Sequence, residues 1–291
     1  MVDDFRHDPI LATKVIFGLD LPPHQQMRLI SMWTHNYCFD SSGFGTGKTF
    51  TIGLCTALRM MLFEDHVAGI LGKTYTGSKI IFGEIEKLAS ISPIFRNEIK
   101  IGRTGNPMIV HGSDACVMTG RNGNQIRALP PDFQKDAERI ASESWSAGYF
   151  DEWVRYRNYA AFDRVILGRV RKPIPRPDKQ DDPIAGHHFF FSGTAQYKWH
   201  PAYKRIIHAN QQIHEGNPQY HVISFNYTHI PAKYDRLDST RAAREMMMAT
   251  MRQDEIQSEI MGVWVDDSVG FYNAKAVEGI RLLDDVEVMA V

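Results

Sequence analysis

Apolar residues recur along this chain in two alternating rhythms. Leu54, Leu58 and Met61 fall at i, i+4 and i+7, one face of a helix beginning near Thr49. Ile81, Ile85 and Leu88 repeat that spacing inside a helix predicted over 76–89. Short apolar runs at 37–39, 67–71, 146–150, 188–191 and 220–225 suit buried strands. The turn Leu21-Pro22-Pro23-His24 introduces a helix over 25–33, and a long helix over about 238–261 closes the pattern. The first twenty residues are mixed, 101–130 reads as short strands with exposed turns, and 164–182 is a Pro- and Arg-rich extended loop. Strands alternating with helices predict an α/β fold with a mostly parallel central sheet flanked by helices.

Composition changes this picture little. The 291 residues suffice for one large domain, or a core with a smaller lobe, and 43% hydrophobic with 23% charged residues is an ordinary globular balance. No apolar run approaches the ~18 residues of a membrane span, and the acidic N-terminus lacks a signal-peptide core. Cys38, Cys55 and Cys116 are far apart and read as small buried hydrophobes, consistent with a reducing cytosol. With 33 basic against 34 acidic residues the net charge is −1, so nucleic-acid binding would need a local basic stripe.

The chemistry is concentrated in Ser42-Gly43-Phe44-Gly45-Thr46-Gly47-Lys48-Thr49, a P-loop whose first glycine is replaced by Ser42. Gly43, Gly45 and Gly47 let backbone N–H groups approach an anion, and the following helix adds its positive end. Lys48 is expected on the β- and γ-phosphates of ATP, and the Thr49 hydroxyl on Mg²⁺. A second carboxylate element, Asp151-Glu152, ends the apolar strand Gly148-Tyr149-Phe150. Asp151 suits the Mg²⁺ shell and Glu152 the activation of water. Ser192, Gly193 and Thr194 leave another buried strand, either as a phosphate-sensing turn or as an ordinary strand end. Gln25 and Gln26 offer the donor–acceptor pair that adenine requires, although glutamine is more often a surface residue.

Taken in this order, the motifs resemble the ATPase domain of the large terminase subunits of tailed bacteriophages. The resemblance runs from Leu21 to about Phe271 and adds Gly72-Lys73-Thr74-Tyr75, Ile230-Pro231 and Glu255 through Gly262. It implies a RecA-like core over 20–229, a small lid from 1–19 and 230–270, and a tail over 271–291. It further implies ATP-driven, Mg²⁺-dependent translocation of double-stranded DNA into a procapsid, in the cytoplasm of an infected bacterium. The implied partners are a portal protein, a small terminase subunit and neighbouring copies in a ring, commonly pentameric. Many members carry an arginine inside the P-loop, which this chain lacks. The resemblance then points elsewhere for a trans-acting arginine: to Arg139, which precedes the Asp151-Glu152 strand at about the family's spacing, with Arg169 and Arg171 as runners-up, although any single arginine is more often a solvated salt-bridge partner. Members normally continue into a nuclease domain; this chain ends where one would begin, so Asp284, Asp285 and Glu287 read as linker. The basic groups Arg164, Arg169, Arg171, Lys172, Arg176 and Lys179, and Lys198, Lys204 and Arg205, are candidates for DNA or neighbour contacts as well as plain surface. The run Met246-Met247-Met248 reads as helix packing, and the histidines as structural.

Three rivals share some of these motifs. A superfamily-2 helicase needs a second RecA-like domain, and a small-molecule kinase needs no Glu152 but wants an arginine-rich lid. A structural ring component would bind nucleotide without hydrolysing it.

Overall fold

The computed structural model describes residues 2–103, 105–131, 144–156, 162, 170, 186–231, 233–234 and 239–266. Arg139, Arg164, Arg169, Arg171, Lys172, Arg176, Lys179 and the 271–291 tail lie outside the described residues.

The strands are β1 (Tyr37–Asp40), β2 (Val67–Leu71), β3 (Ile109–His111), β4 (Cys116–Thr119), β5 (Gln125–Leu129), β6 (Ala147–Asp151), β7 (His188–Ser192) and β8 (Tyr220–Ile223). They form one sheet in the order β3-β4-β5-β2-β6-β7-β1-β8. From β5 to β8 along this order every pairing is parallel, and the antiparallel pairings are β3–β4 and β4–β5. The predicted α/β fold with a mostly parallel, helix-flanked sheet is therefore present.

Strand side chains alternate between two buried layers, as a period of two requires. Cys38, Ile70, Ala128, Tyr149 and Phe190 join the core against the helices α1 (Val2–His7), α2 (Pro9–Phe17), α3 (Pro23–Thr34), α4 (Lys48–Leu62), α5 (Tyr75–Ile91) and α6 (Pro93–Glu98). Their neighbours Phe39, Leu71, Leu129, Phe150, Phe189 and Phe191 face the other side, where α7 (Pro201–His214) contributes Ala202, Ile206 and Ala209. Phe39 and Phe191 stack there with centroids 4.7 Å apart. Because both faces are covered, the strands read as continuous apolar runs in the sequence.

Of the helices that escape the sequence pattern, α2 and α7 matter most to the core. Asp8 caps α2 by accepting from the amides of Ile10 and Leu11, Pro9 opens it, and Gly18 closes it in the left-handed conformation. Ala12, Ile16 and Phe17 then bury in the main core. The face of α7 is made largely of alanine, too weak to stand out from its surroundings.

The long closing helix is a correction. A helix runs from Ser239 to Thr250, breaks at Met251 and restarts at Gln253. The Glu255 carboxylate accepts from the amide of Arg252 in a capping contact, which favours a new start there. Ile256–Ile260 is then a π-helical turn. Met246 is exposed rather than packed, and Met247 and Met248 are only half-buried. All three cysteines are buried and unbridged. Among the described residues no helix is long and apolar enough to cross a membrane.

Gly69 in β2 lies under Trp145, whose indole would stand 2.3 Å from an added Cβ. Gly69→Ala is expected to destabilise the fold by about 1–3 kcal/mol through overpacking. Urea unfolding checks this, and an unchanged midpoint would contradict the packing described.

Candidate nucleotide site

Strand register brings the predicted motifs together. Asp40 of β1 pairs with Ser192 of β7, and Ser192 pairs in turn with Asp151 of β6. The last residues of three adjacent parallel strands thus form one row at the carboxyl edge, where open α/β sheets bind ligands. The P-loop leaves from Asp40, the 192–194 turn from Ser192, and Glu152 follows Asp151.

The P-loop is held from beneath by Arg28 of α3, a residue the sequence reading passed over. Its guanidinium is fully buried, with Nε 2.5 Å from Asp40 Oδ2. Nη1 donates to the Thr46 carbonyl at 2.7 Å, and Nη2 to the Ser42 and Thr46 hydroxyls at 3.2 Å each. Asp40 also accepts from the Ser42 amide at 2.9 Å. The Ser42 hydroxyl accepts from the Phe225 amide as well, so a serine here has polar work that glycine could not do.

Gly45 and Gly47 take φ of 77° and 76°, a region that favours glycine. Gly43 is needed for closeness: an added Cβ would lie 1.9 Å from the Ile260 carbonyl oxygen. The loop is also covered from the C-terminal side. The Gly43 amide donates to the Phe225 carbonyl and the Phe44 amide to the Glu259 carbonyl, both at 2.7 Å. Downstream, Thr49 lies in the first turn of α4, whose leading N–H groups have no acceptor within the helix. Lys48 Nζ donates to the carbonyls of Ser42 at 2.6 Å and Gly43 at 3.1 Å. Burial pulls its ammonium below the usual lysine value, opposed by Asp40, Glu152 and Asp151.

The acid pair faces this loop. Burial raises the Asp151 carboxyl above its ordinary value, with Lys48 the leading opposing influence. Glu152 is raised first by burial and then by the Asp151 charge, while Lys48 and Arg155 oppose. Its backbone sits at φ 53°, left-handed for a non-glycine residue. Strain of this kind, about 1–3 kcal/mol, clusters at functional sites. Glu152 Oε2 is buried, lies 3.3 Å from Arg155 Nε and makes no hydrogen bond among the described residues.

The remaining sequence candidates divide. Gln25 lies against the P-loop, its Nε2 2.2 Å from where a Gly47 Cβ would be, whereas Gln26 donates to the Leu21 carbonyl. Gly193 passes close to Glu152, Trp153 and Val154, leaving 3.0 Å between a Cβ and Val154. Thr194 Oγ1 is 3.4 Å from Arg155 Nη2. Lys198 pairs with Asp266. His24, buried beside Arg28, has its pKa lowered to about 4 mainly by desolvation, so it is neutral at neutral pH. Sequence reasoning missed Arg28, Asp40, Arg155 and the role of Glu259. For Arg28 one signal existed, since it lies one turn after Gln25 on the same helix.

No known family model matches the sequence, and no curated protein matches it. Solved structures do resemble the fold. The large terminase of a thermophilic bacteriophage superposes with TM-score 0.59 at 15% identity, over 85% of this chain and 54% of that one. The large terminase of bacteriophage HK97 gives 0.59 at 10% identity, over 84% and 51%. The large terminase ATPase domain of Thermus phage P74-26 gives 0.55 at 14% identity, over 87% and 98%. This chain therefore has the fold of those ATPase domains and spans about half the length of the first two proteins. The first of these terminases has also been solved in complex with ATP-gamma-S and with ADP.

Arg28→Ala leaves Asp40 buried and unpaired, which is expected to cost about 3–5 kcal/mol. Denaturant titration reads this directly. A loss below about 1 kcal/mol, the value of an exposed pair, would refute the anchoring role.

Proposed function

We propose that this chain, built on the fold of large terminase ATPase domains, hydrolyses ATP with Mg²⁺ and so drives double-stranded DNA into a procapsid. One observation carries the reading: the P-loop, the acid pair and the 192–194 turn leave adjacent strand ends in a single register row.

The residues present fit the implied metal. Among the described residues no three-carboxylate cluster occurs, and Mg²⁺ at phosphates characteristically takes only one or two protein oxygens. Thr49 and Asp151 would provide those oxygens, and bound Mg²⁺ would supply charge neutralisation for the phosphates. The amides of residues 45–49 and Lys48 bind the phosphates, Lys48 exchanging its present carbonyl partners for phosphate oxygens. Glu152 orients a water and accepts its proton as the water oxygen bonds to the γ-phosphorus and the bond to ADP breaks. Oε2 of Glu152, buried and without a hydrogen bond among the described residues, supports that role. Ser192, Gly193 and Thr194 border both the acid pair and Arg155, which suits a turn that transmits hydrolysis. Gln25 beside the P-loop is the better placed of the two adenine candidates.

The wider assignments belong to the same proposal: a ring of copies on a portal protein, a small terminase subunit, and action in the cytoplasm of the infected host. Arg139 remains the proposed trans-acting arginine. The division into a 20–229 core and a lid from 1–19 and 230–270 is also part of it. Contacts of Glu259 and Ile260 with the P-loop support the second lid segment, whereas buried Ala12, Ile16 and Phe17 bind the first to the core.

Phosphate release measured with Mg²⁺ is expected to vanish in Lys48→Ala and to fall at least about a hundredfold in Glu152→Ala. ATP-driven protection of DNA inside procapsids should fail in the same two variants. Wild-type rates in both purified variants would sink the assignment.

A further inference from the structure

Arg155 follows the acid pair on a short 3-10 turn, Trp153–Arg155, whose first two residues are buried. The turn is closed by the Arg155 amide donating to the Glu152 carbonyl at 2.8 Å, and this folds the Arg155 side chain back over Glu152. From there the guanidinium reaches three separate segments. Nε lies 3.3 Å from Glu152 Oε2, Nη2 donates to Glu259 Oε1, and Nη2 also lies 3.4 Å from Thr194 Oγ1. Glu259 itself has two attachments. Its side chain meets Arg155, and its backbone carbonyl accepts from the Phe44 amide inside the P-loop.

We infer that Arg155 is a positioning residue that fixes the Glu152 carboxylate against the 192–194 turn and ties it, through Glu259, to the segment lying on the P-loop. This inference rests on the proposed hydrolytic role of Glu152.

The electrostatics favour a positioning role over an ordinary surface pair. Glu152 faces Asp151 from its own strand, Lys48 from α4, Glu259 from the C-terminal segment and Arg155 from the turn. Two carboxylates, Glu152 and Glu259, thus share one guanidinium. Without it they confront each other as like charges, and Glu152 relaxes by swinging away from where water must be held or by taking up a proton, either of which costs it the role of a base. The left-handed backbone of Glu152 needs surrounding structure to hold it, and Arg155 supplies part of that support. A fork of several N–H donors is required to engage all three partners, which a lysine ammonium on a flexible stem does not reproduce. An isolated exposed ion pair, by contrast, contributes little to anything.

The test compares steady-state phosphate release with the affinity for a fluorescent ATP analogue, measured separately by titration. Wild type, Lys48→Ala, Arg155→Ala, Arg155→Lys, and Arg155→Ala combined with Glu259→Gln are assayed together. Arg155→Ala should lose at least about tenfold in kcat, with analogue affinity within about threefold of wild type. Arg155→Lys should recover only part of that loss. Adding Glu259→Gln to Arg155→Ala should restore several-fold of the rate, because it removes the repulsion that losing Arg155 exposes. Should Arg155→Ala fail to fold, the lysine variant and the double variant decide by the same criteria. The inference is overturned if Arg155→Ala or Arg155→Lys keeps kcat within about twofold of wild type. It is equally overturned if affinity and rate fall together, or if the double variant is slower than Arg155→Ala. A wild-type chain without Lys48-dependent hydrolysis overturns the functional reading, and this inference with it.

Discussion

The guanidinium of Arg28 and the carboxylate of Asp40 lie fully buried, 2.5 Å apart, at the point where β1 gives way to the P-loop. Ion pairs of this kind are expensive to bury, and well-packed apolar substitutes are often as stable. What this pair provides is a fixed position. Asp40 ends its strand and receives the Ser42 amide, while Arg28 continues to the Thr46 carbonyl at the far side of the loop. The loop is therefore pinned at both ends from one buried centre, without occupying the amides of residues 45–49 that would meet phosphate.

The sheet extends that order sideways. Because β1, β7 and β6 are parallel and in register, pinning Asp40 also sets the heights of Ser192 and Asp151. Alternation then assigns the flanking residues: Phe39, Phe191 and Phe150 enter one aromatic layer, and Cys38, Phe190 and Tyr149 the opposite core. Strain appears where this regular frame ends, at Glu152, whose left-handed backbone turns its carboxylate back toward the loop. Across the loop, residues 259–262 close the other side. Gly262, at φ 68°, passes so near that an added Cβ would stand 2.6 Å from the Ser41 carbonyl.

Much of this frame was legible in the sequence, for identifiable reasons. β2 is a short run of apolar residues, and α4 and α5 carry apolar stripes at helical spacing, so local pattern and tertiary burial agree. The P-loop and acid pair were legible because phosphate and metal chemistry leave little freedom in residue type. The N-terminal helix α2 was not read because its signal lies in the Asp8, Pro9 and Gly18 caps rather than in a strong amphipathic stripe. The closing helix was read too long because the restart depends on one side chain, Glu255, reaching back to the Arg252 amide. The contacts of Arg28 and Arg155 were not legible, although Arg28 lies one turn after Gln25. Their partners Asp40, Thr194 and Glu259 are distant in sequence, and only the assembled sheet edge brings them within reach.

That this edge is a nucleotide site built on the anchored P-loop is tested most directly by a crystal structure with Mg²⁺ and a non-hydrolysable ATP analogue. Phosphate oxygens are predicted on the amides of residues 45–49, and Mg²⁺ at Thr49 and Asp151. Lys48 Nζ should have left the Ser42 and Gly43 carbonyls for those oxygens, with the Arg28–Asp40 pair unmoved. Analogue bound elsewhere, or bound while Lys48 keeps its carbonyl partners, would contradict it.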